Sequence, residues 1–453
     1  MEPDPTEPSR QDHDSGPDRP ELEPELEPEP FDGEGSDQGP GRLVAHDPYT
    51  VLRDPNFRSL MLAGMVATVG NQMQGVAIGW ELYERTSSPL ALGMVGLAQV
   101  LPVILLAIPA GHAADRHSRK RLIILAHGLL LLATVGLALL SAWRGPVGLT
   151  YLFLVVTGVG QALNRPARWA ILPQVVPREL LLSAVTWNTS AWQVAAMAGP
   201  ALGGLVITLA GGATACYVLN AGCSAVVIGL TASLRLRAAP RDSQPVSLRS
   251  LLAGLRFVFR TDLILATITL DLLAVFLGGA TALLPIYARD ILRIGPSGLG
   301  WLRAAPSIGS CLMALVLAHR PPMRQAGKSL LWAVAGFGIA TIVFGLSRNP
   351  YLSFAMLLLT GALDNISVVV RQTLVQLLTP DEMRGRVSAI NAIFIASSNE
   401  LGAFESGLAA RLFGTVGSVV GGGIGTVLVV LCVAAIWPNV SSLGSLQDVD
   451  ISK

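Results

Sequence analysis

AGHAADRHSRKRLIIL, residues 110–125, crowds Asp115, Arg116, Arg119, Lys120 and Arg121 into seven positions. On either side lie long runs of Ala, Val, Ile, Leu and Gly. A charged turn between two greasy segments is what a chain makes where it leaves a membrane and re-enters it. Composition agrees: 14% of the residues are charged, against about 25% in a soluble domain. Hydrophobic residues make up 51%, more apolar surface than the polar residues of a soluble protein could cover. The net charge of +1 is a near-cancellation of an acidic tail against basic loops and points to no acidic partner.

Apolar stretches of the length a helix needs to cross the hydrocarbon core recur at about 58–84, 90–112, 121–143, 148–170, 182–210, 214–234, 262–287, 297–318, 328–347, 351–373, 386–413 and 417–437. The runs are continuous rather than alternating, which predicts helices and not a barrel. The sequence thus predicts an all-α membrane protein with twelve transmembrane helices in two pseudo-symmetric six-helix bundles. Its parts are a disordered acidic Pro/Glu-rich tail at 1–45, a bundle at 46–234, a basic linker at 235–261, a second bundle at 262–437 and a tail at 438–453. The last part of the linker has the pattern of an amphipathic helix able to lie on the membrane. If the N-terminus is cytoplasmic, the inner loops carry Arg116, Arg119, Lys120, Arg121, Arg178, Arg235, Arg237, Arg241 and others. The outer loops carry only Arg85, Arg144, Arg289, Arg293 and Arg348. That bias, about three to one, predicts both termini inside.

The two bundles are expected to be copies. Displacing the sequence by 203 positions brings Thr157-Gly158 onto Thr360-Gly361, Arg168 onto Arg371, Pro177 onto Pro380, Glu179 onto Glu382 and Asn188 onto Asn391. Gly199, Gly204 and Gly211 fall on Gly402, Gly407 and Gly414. Duplicated bundles around a midplane site are a transporter layout. The four cysteines, Cys216, Cys223, Cys311 and Cys432, lie in apolar runs and read as small core residues.

With twelve spans in place, GHAADRHSRKR resembles the loop between the second and third helices of the major facilitator superfamily, through Gly111, Asp115, Arg116, Arg119 and Lys120. The matching loop of the second half, HRPPMRQAGK, keeps positive charge but lacks the Gly and Asp. The resemblance implies that Asp115 meets the N-terminal end of the eleventh helix, where unpaired N–H groups favour a carboxylate. Such a contact closes the cytoplasmic side. Glu179, Glu382 and Arg386 are assigned to the same gate. AMAGPALGGL, with Gly199, Pro200, Gly203 and Gly204, resembles the fifth-helix motif of proton-driven exporters, although ordinary small-residue packing gives the same pattern. LRDPNFRSLMLAG, NRPARWAILPQVVPREL, TPDEMRGRVSAI and NELGAFESGLAARLFG resemble the enterobactin-exporter-like branch. That branch implies efflux of drugs or siderophores across a bacterial cytoplasmic membrane.

Ionisable and polar groups inside spans are costly and mark function. Asp271, Asp364, Glu400 and Glu405 are the candidates for proton coupling, which needs a carboxyl group titrating near neutral pH. For Asp271 and Asp364 the rival is a structural ion pair with Arg165, Arg168, Arg303 or Arg371. Asn71, Gln72, Gln74, Arg165, Arg168, Trp192, Gln193, Trp301 and Arg303 are the candidates for substrate binding, and Arg303 points to an anionic substrate. The sequence contains no phosphate-binding loop and no HExxH pair, so neither catalysis nor a cofactor or metal is expected. The expected partners are a small-molecule substrate, protons and the lipid bilayer, without nucleic acid, around a monomer. Two other functions fit the same architecture: a lysophospholipid or lipid flippase, and a non-transporting sensor or scaffold.

Overall fold

Lipid offers no partner to a free backbone N–H or C=O, so the apolar runs close their hydrogen bonds internally as helices. The computed structural model describes residues 49–236, 248–321 and 323–444. The expectations for the acidic tail, for 237–247 of the linker and for 445–453 lie outside the described residues. The first set of helices comprises α1 (Pro55–Thr86), α2 (Pro89–Arg116), α3 (Arg119–Ala142), α4 (Val147–Val175), α5 (Leu181–Ala210) and α6 (Thr214–Ser233). After α7 (Leu248–Arg260) comes the second set. It contains α8 (Asp262–Gly278), the single turn α9 (Leu284–Ile286), α10 (Gly295–Ala318), α11 (Ala326–Leu346), α12 (Pro350–Leu378), α13 (Asp381–Phe413), α14 (Thr415–Ile436) and the short α15 (Pro438–Ser441).

Local chemistry sets several starts. Asp54 accepts from the N–H of Asn56 at 2.7 Å, with Pro55 in the first turn of α1. Asn349 caps α12 in the same way ahead of Pro350. A side-chain acceptor followed by proline suits a helix N-terminus, because the first N–H groups have no internal partner.

Two boundaries differ from the sequence reading. The second span does not stop near 112; α2 continues to Arg116, so Gly111 and Asp115 belong to its last turns and only His117 and Ser118 link it to α3. The seventh span breaks after Gly278 into a 3-10 turn at Ala280–Leu283, then α9 with Pro285, then a π turn at Tyr287–Ile291. Among the described residues, ten segments are long and apolar enough to cross a membrane by composition alone. The two long helices outside that group are α1 and α13, of 32 and 33 residues. Both are packed among other helices, α1 against α5 and α6 and α13 against α2, α8 and α14, which shelters their polar residues from lipid. Of the cysteines only Cys216 is buried, while Cys432 is exposed on the surface.

The two sets pair alike. In the first, α4 packs on α2 and α3, and α1 and α3 pack on α6. In the second, α12 packs on α10 and α11, and α8 and α11 pack on α14. The repeated glycines hold equivalent crossings. A Cβ on Gly158 would meet Gln99 and Pro102 of α2, and one on Gly361 would meet Pro306 of α10. Likewise Gly199 lies against Val69 and Gln72 of α1, and Gly402 against Val275 and Phe276 of α8.

Between the sets the main contacts are α2 with α13 and α5 with α10. They are tightest at the end remote from the basic turn. Gly93 touches Gly407 there, and Gly204 touches Gly300. One buried apolar cluster, including Tyr83, Leu92, Ile207, Leu284, Tyr287 and Leu299, joins both sets at this end. At the basic end the clusters separate: one built on Phe57, Leu122 and Ile171 belongs to the first set, and those built on Leu330 and Val387 belong to the second. The molecule is sealed at one end and divided at the basic end.

Candidate functional site

Three polar groups lie along the division. The first is the seal. Tyr83 of α1 donates its hydroxyl hydrogen bond to Asp290 in the π turn. Arg289 donates to the Tyr83 carbonyl at 3.2 Å and lies 5.5 Å from the ring centroid of the same tyrosine. The extra residue of a π turn re-aims neighbouring side chains, here two opposite charges onto one tyrosine. Neither Tyr83 nor Asp290 was singled out from sequence, and Arg289 entered only as an outer-loop charge. Their signal was Pro285 followed by charges inside an apolar run.

The second group lies where the sets meet in mid-membrane. A recess of about 30 Å³, room for a water or two, is lined by Gln99, Gln161, Arg165 and Glu400. Arg165 and Arg303 both act electrostatically on Glu400, yet neither comes within ion-pair distance of it among the described residues. Arg303 reaches from α10 across to α1 and donates to the Gly75 carbonyl at 3.0 Å. The structure therefore brings together Arg165, Arg303 and Glu400, and adds Gln99 and Gln161, which sequence reasoning missed. Arg165 and Glu400 line the recess itself, and Arg303 adds a second positive charge within electrostatic range of Glu400.

The third group is inside the second set. Asp271 of α8 forms a buried ion pair with Arg371 of α12, their side chains only 7% and 3% exposed. Four residues before Arg371, Ser367 Oγ is buried without a partner, and so is Nε of Arg371 itself. Asp364, one further turn along α12, lines a small pocket with Asp271, Ser367 and Phe337. Among the described residues it has neither a hydrogen bond nor an ion pair. Its neighbour Asn365 donates to Ser310 Oγ of α10 at 3.0 Å.

The remaining sequence candidates scatter. Gln74 accepts from Thr134 at 2.9 Å and from Asn220 at 2.5 Å, a buried network joining α1, α3 and α6 and turned away from the division. Gln72 sits at the α1/α5 crossing beside Gly199, and Asn71 is half-buried next to it. Trp192 and Trp301 are exposed, 47% and 55%, and Gln193 is half-buried. Glu405 is half-buried on α13, toward the sealed end and apart from Glu400. Gly199 and Gly203 fit against α1, Pro200 and Gly204 against α10. The motif thus packs α5 onto both sets at once.

At the basic end, Arg119 donates to the Ala170 carbonyl at 2.8 Å. Lys120 donates to the carbonyls of Ala232 and Leu234, at 2.6 and 2.8 Å. A lysine there satisfies the open carbonyls at the C-terminus of α6. Both bonds stay within the first set. Arg116, Glu179 and Glu382 are exposed, and Arg386 lies against Gly254 of α7. A Cβ on Gly111 would meet nothing within 4 Å. Where Asp115 directs its carboxylate lies outside the described residues.

Comparison with known proteins gives this arrangement a context. Residues 46–446 match the major facilitator family described as transmembrane secretion effector. The chain is 28% identical over 378 residues to enterobactin exporters of Shigella boydii and of Escherichia coli, covering 83% of this chain and 90% of each relative. In fold it is similar to a bacterial homologue of the human lysosomal transporter Spinster, solved inward-facing and occupied, with TM-score 0.66, 16% identity and coverage of 85% and 96%. It is similar also to a nucleoside transporter, NupG, with TM-score 0.67, 13% identity and coverage of 84% and 99%.

Proposed function

Because this chain belongs to the transmembrane secretion effector family of the major facilitator superfamily, we propose that it is a proton-driven exporter of amphipathic anionic small molecules of the siderophore kind. It is a multi-pass membrane transporter, and its basic end is the cytoplasmic one under the positive-inside rule. The observation that carries the reading is the one-sided closure around a recess whose Glu400 feels two arginines. The sets share a core at the outer end and part at the inner end, so cargo enters from the cytoplasm beside Arg165, Arg303 and Glu400. Two arginines acting on one carboxylate favour an anionic group.

The inner gate follows from the register already made at the outer end. There α2 and α13 run antiparallel, with Gly93 on Gly407 and Gly96 on Ala403 and Glu400. Continuing that register inward sets Gly111 opposite position 389 and Asp115 opposite Gly385, in the first turns of α13. Free N–H groups at that helix start favour a carboxylate, and Gly111 leaves the room that close approach needs. When the gate closes, the Tyr83–Asp290 seal releases and cargo leaves outward. Asp364, which has no partner among the described residues, carries the proton, while Asp271 is committed to Arg371.

Reconstitution in vesicles with an imposed pH gradient tests the reading, using a catecholate siderophore, an amphipathic dye and a lysophospholipid as probes. Gradient-driven movement of the siderophore or the dye, with matching proton flux, is expected. Movement of the lysophospholipid alone, or of no probe at any gradient, would overturn it.

A further inference from the structure

The 203-residue displacement that maps Arg168 onto Arg371 also maps Thr68 of α1 onto Asp271 of α8. The second set therefore neutralises its membrane-embedded arginine from within, through Asp271, and the first set has a threonine where that carboxylate would be. Thr68 is buried and its hydroxyl donates to the Gly64 carbonyl at 2.8 Å, so it offers Arg168 no charge. The Arg168 guanidinium lies against α1 at Gly64, with the Asn188 amide oxygen near the same point. Among the described residues no carboxylate pairs with it and no hydrogen bond holds it.

Two further groups around Arg168 are incomplete. His127 of α3, 4% exposed, lies close enough to feel the arginine charge, and its Nδ1 has no hydrogen-bond partner. Asn164, one turn before Arg168 on the same face of α4 and 6% exposed, has an unpartnered Oδ1. An imidazole nitrogen and a carboxamide can both present N–H groups once tautomer and rotamer suit. An isolated charge and unpaired polar atoms away from water are each costly. One negative ion beside Arg168 would balance its charge and accept from the His127 ring N–H, and Asn164 joins it by turning its amide Nδ2, not its oxygen, toward the ion.

We propose that Arg168, His127 and Asn164 form a binding site for a monovalent anion, which supplies in the first set the counter-charge that Asp271 supplies in the second. The anion is either free halide or the charged group of an organic anion, and the chemistry recognised is the same. Nothing in this depends on what the protein exports.

Thermal unfolding of the purified full chain tests it, starting in a chloride-free gluconate buffer. Chloride alone and benzoate alone are the two probes. Ligand that binds only the folded state raises the unfolding midpoint with concentration, so at least one probe is expected to raise it by a few degrees. A response to chloride identifies a resident ion, and a response to benzoate alone identifies an organic anion. Thr68→Asp provides the internal counter-charge, and its midpoint should no longer respond to either probe. Arg168→Gln should lose the response too. An unresponsive wild type, or a Thr68→Asp protein that responds as the wild type does, would overturn the proposal.

Discussion

Asp271 and Arg371 hide both charges from water, so removing one strands the other. Asp271→Asn is expected to destabilise the protein by about 3–5 kcal/mol. Asp271→Asn combined with Arg371→Gln should recover most of that loss. Thermal unfolding in detergent of the two variants decides the point, and equal losses would mean the pair is not what holds Asp271. Asp364 stands in contrast, since it lines a pocket and has no partner among the described residues. Asp364→Asn should bind substrate as the wild type does but release no proton on turnover, which a pH-sensitive dye in the vesicle lumen would register. The sequence marked both aspartates as costly inside a span. It offered four arginines as partners for Asp271, and only the crossing of α8 and α12 selects Arg371, because spacing along the chain says nothing about two residues a hundred positions apart. Gln74 illustrates the same limit: a mid-span glutamine reads identically whether it faces the division or, as here, Asn220 and Thr134.

For helices, the deciding feature is how closely backbones approach. Gly204 lies so near Gly300 and Pro296 of α10 that a side chain there must push α5 and α10 apart. Gly204→Val should therefore disfavour the outward-sealed state by about 1–3 kcal/mol, and a cysteine placed at the outer mouth should react faster with a membrane-impermeant maleimide. The π turn after α9 works on the same equilibrium through polar contacts. Tyr83→Phe loses a hydrogen bond to a charged acceptor, about 1.5–3 kcal/mol, and should shift the same labelling rate by roughly tenfold or more. An unchanged rate would show that the seal is held by apolar packing alone. The linker helix α7 had the pattern of a membrane-surface helix. In the structure Gly254 and Val258 dock it on the inner end of α13, leaving Leu252, Arg256, Phe259 and Arg260 exposed. Its amphipathic period was legible, whereas a protein face and a lipid face look alike in such a period.

The molecule as a whole alternates only if the inner ends of α2 and α13 meet in the register that their outer ends already show. With the native cysteines replaced, Gly111→Cys and Ala389→Cys should cross-link under mild oxidation during turnover. The linked protein should stop transporting, and reductant should restore it. A pair that never links under turnover would exclude that register. The same closure explains the basic turn. In this state Arg119 and Lys120 bond to α4 and to the end of α6, so the turn stays with the first set while the inner ends are apart.

Apolar run length and the duplicated Arg, Pro, Asn and Gly positions determined by themselves that this is an all-α membrane protein of two related halves, and the resemblance of the charged turn to a known loop motif pointed to the major facilitator family. Each of those signals is local or repeats at a fixed interval, and the cost of an unpaired backbone group in lipid leaves helices as the outcome. The tertiary structure alone decided which end is sealed, which arginine neutralises which aspartate, and that Tyr83, Asp290 and Arg289 form the seal. Those facts depend on contacts between residues 100 positions apart, as in Asp271–Arg371, or 207 apart, as in Tyr83–Asp290, and farther still for Gly93 on Gly407. Such contacts are set by the crossing of helices, and hydrophobic periodicity carries no record of them.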